Sequence, residues 1–137
     1  MKELISERVA LNGLLAILLL MTAFHGLVML GIIPAGIVWG GGVRSHAQLM
    51  TAEGVSVLVT LMMLTVVAVK ASYVKARINY RVLQGALWLM VLLFLANTAG
   101  NLLSKNDIEK WVFTPLTLLL ALFSLRVAVG TATTRTP

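Results

Sequence analysis

Glu53 is the one acidic residue inside any strongly apolar stretch of this 137-residue chain. A carboxylate in such surroundings must be protonated, paired or bound to something, because an isolated buried charge is too costly to keep. Candidate partners are His25, Arg44 and the amides of Asn97 and Asn101. Their spacing is informative. Asn97 and Asn101 stand four apart with Gly100 beside them, so a helix would place both amides on one face, open to close backbone approach. Glu53, Ser56 and Thr60 follow a three- then four-residue step along one helical stripe, and Thr22 precedes His25 by three. The chemistry open to such a set is the handling of a proton or ion, or the binding of a small polar group. The plainer alternative is structural: a Glu53–His25 pair that only satisfies itself, with the asparagines, Thr114 and Thr117 as interhelical glue worth about 0.6 kcal/mol each.

Other chemistries lack their residues. Cysteine is absent, which excludes disulfide exchange and thiolate metal sites. No HExxH or convincingly placed serine, histidine and acid is present, so no enzyme, cofactor or metal site is expected. The glycines from Gly40 to Gly42 are not followed by GK[ST], and His25 with His46 match no haem-ligation spacing.

The elements that must position these groups follow from composition. With 59% hydrophobic residues and a mean hydropathy of +0.96, the chain exceeds soluble proteins in apolar content. Charged residues are missing between Arg8 and Arg44, Arg81 and Lys105, and Lys110 and Arg126, while Glu53 alone interrupts Arg44 to Lys70. These intervals predict an all-α, four-transmembrane-helix bundle forming one domain, with spans at 9–33, 47–69, 82–103 and 111–130. The first span is too long for a signal peptide and is expected to be retained, ending at Ile33 before Pro34. Trp39 suits the headgroup interface, and the glycine run suits a turn. Asn106 is expected to cap the last helix with Glu109 as its capping-box partner, Pro115 to kink it, and Arg126 to snorkel at its end. The tail TATTRTP is expected to be disordered. The net charge of +6 lies in loops and termini without a module to present it, so no nucleic-acid partner is expected. With the N-terminus inside, the basic residues divide eight inside to three outside, which predicts both termini in the cytoplasm.

Topology turns the scattered polar residues into a layer. Counted from the outer ends at 1.5 Å per residue, His25 lies about 12 Å deep and Glu53, Asn97 and Thr117 about 9 Å. The expected pocket opens outward beneath a lid from Trp39 to His46, with Arg44 at its entrance, and the inner half is dry.

The run PAGIVWGGGVRS, then Glu53, NTAGN and IEKW, is similar to a pattern in small uncharacterised bacterial four-helix membrane proteins, where the corresponding stretches look like VWGGRLKS and NTxGN. The similarity covers most of the chain and implies a multi-pass protein of the bacterial inner membrane, without an activity. This sequence has Gly42 where the pattern has arginine, with basic character displaced to Arg44. The resemblance treats Trp39, Glu53, Asn97 and Asn101 as one unit. The functional expectation is binding or passage of a small molecule, lipid or ion, with Glu53 as ionisable ligand, His25, Asn97 and Asn101 orienting it, and Arg44 and Trp39 at the mouth. The competing expectation is an accessory subunit, packing against a partner protein or a second copy through small-residue faces at Gly13 or at Gly26 and Leu30.

Overall fold

The computed structural model describes residues 4–39 and 45–131. Helix α1 spans Glu7–Met29, α2 Gly36–Trp39, α3 His46–Lys70, α4 Tyr80–Leu103 and α5 Thr114–Thr131, the last preceded by a π-helical turn over Glu109–Phe113. The four long elements carry 23, 25, 24 and 22 apolar-rich residues, counting the turn with α5. At 1.5 Å per residue each exceeds the roughly 30 Å hydrocarbon core. The protein is therefore a multi-pass membrane bundle. Its lipid-facing surface matches: Leu20, Leu58, Leu92 and Trp111 stand exposed, as apolar side chains facing acyl chains would.

Helix boundaries follow local chemistry. The Ser6 and Ser45 hydroxyls accept the backbone N–H of Val9 and Gln48, each at 3.2 Å, and so cap α1 and α3. Asn79 caps α4 by accepting from Arg81 at 2.9 Å. At its other end α1 stops at Met29, four residues short of the proline-based expectation. Gly31 adopts φ +74°, and Ile32 donates back to the Leu27 carbonyl at 3.0 Å. That left-handed glycine closure ends the helix before Pro34 can act. Ser72 does the same after α3 with φ 63°, a conformation a non-glycine residue adopts at a cost of roughly 1–2 kcal/mol.

The helices form a ring in which α3 packs on α1, α1 on α5 and α5 on α4, while α3 and α4 meet only sparsely. Leu14, Leu18, Leu87 and Leu120 fill the centre with at most 2% exposure. Close approach of α1 and α5 depends on Gly13, where a Cβ would stand 2.4 Å from Phe123 Cε2. The small face at Gly13, expected to be available to a partner protein, is thus consumed inside the bundle; Gly26 has open space before it.

Polar clasps hold both ends. At one end Arg126 Nε donates to the Ile5 carbonyl at 2.7 Å, Lys70 Nζ lies 3.3 Å from Glu7, and the Tyr73 hydroxyl donates to Asn12 at 2.8 Å. These contacts bring the N-terminus of α1 and the C-terminus of α5 to the same end. Arg126 differs from expectation: it is only 8% exposed, folded onto the Ile5 carbonyl just before α1 instead of snorkelling outward. At the opposite end Asn106 caps the following turn by accepting from Ile108. The capping box does not form, because Glu109 takes the Ser104 hydroxyl while Ser104 also accepts the Asn106 N–H.

Candidate functional site

The site residues are delivered by five elements. His25 sits in the last two turns of α1, Trp39 at the end of α2, Glu53 in the second turn of α3, Asn97 and Asn101 in the last two turns of α4, and Thr117 in the first turn of α5. The short α2 is held where it is by Asn106, whose amide donates to the carbonyls of Gly36 at 2.8 Å and Ile37 at 3.1 Å. The turn between α4 and α5 thereby fixes the segment that carries Trp39.

Glu53 has no exposed surface, and both its oxygens are engaged. Oε2 lies 2.7 Å from His25 Nδ1, and Oε1 accepts the Trp39 indole N–H at 2.6 Å. Both distances are short for N–H···O contacts. The carboxylate therefore stands behind the histidine, and its direct contacts are protein. What it controls is the imidazole. When a proton is held between Oε2 and Nδ1 and a second sits on Nε2, His25 donates from its far edge. When the pair gives up one proton, leaving Nδ1–H facing a carboxylate, Nε2 becomes an acceptor. One proton thus switches what the ring offers on its far side.

That far side borders open space. A cavity of about 250 Å³ is lined by His25, Ser56, Thr60, Asn97 and Thr117 among apolar neighbours. A second, of about 230 Å³, is lined by His25, Trp39, Asn97, Asn101, Phe113 and Thr117. Met21, His25, Ser56, Asn97 and Thr117 line both, so the two adjoin around His25 and together form the candidate chamber. Glu53 lines neither.

The α4 and α5 walls meet through Thr117. Its hydroxyl lies 3.0 Å from that of Thr98 and 3.4 Å from Asn101 Nδ2, and donates to the Phe113 carbonyl at 2.8 Å. Asn97, by contrast, is exposed and makes no hydrogen bond among the described residues. Phe113 closes the outer side, edge-on to Phe24 at 5.6 Å, and Phe24 stands edge-on to His25 at 5.9 Å.

The π-helical turn places Phe113. Pro115 has no N–H for the Trp111 carbonyl, and the backbone widens so that Thr114 N–H bonds Glu109 instead.

Of the residues singled out by sequence, His25, Trp39 and Glu53 form one hydrogen-bonded chain, and Asn97 and Asn101 face the same chamber. Arg44 and the glycines from Gly40 to Gly42 lie outside the described residues, as does the tail after Thr131. Thr98, Phe24 and Phe113 belong to the site but were not singled out. Thr98 could have been found as the only hydroxyl within NTAGN, whereas the aromatic pair carried no sequence signal. No cluster of three metal-ligating side chains occurs among the described residues. No family model, curated protein or solved structure matches this chain.

Proposed function

We propose that this protein binds a small molecule, lipid or ion in an outward-facing intramembrane chamber of the bacterial inner membrane, and that binding or passage of that ligand is its role. One observation carries the reading. The Asn97 amide and the Nε2 edge of His25, neither with a hydrogen-bond partner among the described residues, border the same cavity, about 9 Å below the end of α4 and about 6 Å below the end of α1 respectively. Polar groups at that depth are costly unless something satisfies them. Glu53 orients His25 and sets the proton on it, while Trp39 links that pair to the outer segment. The orientation rests on the bias of basic residues towards the end that carries both termini.

The test is native mass spectrometry of protein purified from its own membranes in mild detergent, compared with the Asn97→Leu and His25→Phe variants. Wild type should retain a defined mass distinct from the bulk phospholipid distribution. Asn97→Leu should lose it while melting as wild type does, since Asn97 supports no neighbour. A wild type that carries only bulk phospholipid, or an Asn97→Leu variant that retains the same molecule, overturns the reading.

A further inference from the structure

The chamber is not closed towards the bilayer. Where α3 and α4 meet sparsely, an apolar cleft of about 200 Å³ runs between them, walled by Val59, Met62, Val66, Ala86, Leu89 and Met90. Val59, Met63 and Leu93 line both this cleft and the polar chamber, so the two spaces adjoin. The cleft opens sideways: Val59, Met62, Leu89 and Leu93 are 36%, 61%, 56% and 38% exposed. Four of the seven methionines, Met21, Met62, Met63 and Met90, line the combined space. Methionine is the apolar side chain best able to conform to a flexible occupant.

Resting on the proposed binding role, we propose that the ligand is a long-chain amphiphile with an uncharged hydroxyl or carbonyl head, admitted from the bilayer through the α3/α4 cleft. Three features select this class. A groove in the hydrocarbon region holds no ordered water and is filled by chains. From Asn97 to Ala86 the path runs about 17 Å along α4, straight inward, which suits an extended tail. The head would meet His25 and Asn97 well below the headgroup plane, where a phosphate or ammonium would have to be desolvated. A hydroxyl or carbonyl needs only what is there: an amide that donates and accepts, and an imidazole edge whose donor or acceptor character is set by the Glu53 proton.

The experiment uses the full chain in phosphatidylcholine nanodiscs with Trp88→Phe and Trp111→Phe, both exposed positions, so that Trp39 is the sole tryptophan. Hexadecanol brominated beside the hydroxyl is titrated in, with equivalently brominated hexadecanoate and hexadecyl phosphate as charged counterparts. The alcohol should quench Trp39 saturably, with half-saturation at least about tenfold below that of either charged probe. Val59→Phe and Ala86→Phe, which fill the cleft, should each weaken it by about tenfold or more. Leu89→Phe, on the exposed lip, supplies a variant with no core to disturb and should slow the approach to saturation.

If Asn97→Leu abolishes quenching while the three cleft variants leave it unchanged, the chamber binds ligand but is not loaded sideways, and this inference falls while the proposed function stands. Preference for a charged probe overturns the assigned head. Quenching that never saturates, or is indifferent to Asn97→Leu, overturns both. Near-complete disulfide formation between copies carrying Met62→Cys or Leu89→Cys in this cysteine-free chain would show a second copy covering the cleft, and would also overturn the inference.

Discussion

Replacing Glu53 in two ways separates hydrogen-bond geometry from charge. In Glu53→Gln the side-chain oxygen can still accept from Trp39 Nε1, and the amide nitrogen can donate to His25 Nδ1, so both partners at 2.6 and 2.7 Å are retained. The expected loss is within about 1 kcal/mol. In Glu53→Leu the indole N–H and Nδ1 both lose their partners. Each unsatisfied buried group costs about 1–3 kcal/mol; Trp39 is only half-buried and falls at the low end, so the sum is about 2–4 kcal/mol. Extra apolar burial recovers little, because lipid tails solvate leucine as well as a helix neighbour does. The assay is reversible unfolding in mixed micelles titrated with dodecyl sulfate, paired with ¹⁵N NMR of the His25 ring. Glu53→Gln should unfold close to wild type and fix His25 as the neutral Nε2–H tautomer. The reasoning is refuted if the glutamine variant is as unstable as the leucine variant, or if the leucine variant equals wild type.

Three further outcomes follow from the packing. Gly13→Ala should destabilise by about 1–3 kcal/mol, since its Cβ would collide with Phe123; in a double-mutant cycle Phe123→Leu should recover most of that loss. Gly31→Ala should cost about 1–2 kcal/mol because the position requires φ +74°, and the same unfolding assay reads it. Asn106→Ala removes both ties to α2 and the cap on Ile108, and should cost about 1–2 kcal/mol. Its signature is local: hydrogen exchange at Ile37 to Trp39 should accelerate before any change in the core of α1.

The spans were legible because a charge-free apolar interval of membrane-crossing length is hard to place anywhere but in a bilayer. Glu53 was conspicuous for a related reason, and His25 stood among its expected partners. The identity of the second partner was not legible. Trp39 read as an interface anchor, and nothing local says that α2 would turn its indole inward; that depends on Asn106, some 70 residues away. Asn97 and Asn101 shared a face as their spacing required, yet Thr98 makes the bond to Thr117. The rotation of α4 is set by packing on α5, and a helix apolar all round carries no stripe that reveals it. The sparse α3/α4 contact was likewise invisible, since neighbouring in sequence says only that two antiparallel spans could pair.

That ring with one thin side has a consequence for how the chain is built in the membrane. Its strong contacts join α1 to α3 and α4 to α5, so synthesis delivers two hairpins, each nearly self-sufficient, separated by the exposed stretch after Lys70. What unites them is the meeting of the first and last helices at Gly13 and Phe123, sealed by Arg126 on Ile5. Assembly must then wait for the final span to be inserted, and the bundle closes in one docking step between preformed halves. A break in the backbone between Tyr73 and Ile78 would leave that step intact, whereas loss of α5 would strand α4 with almost nothing to hold.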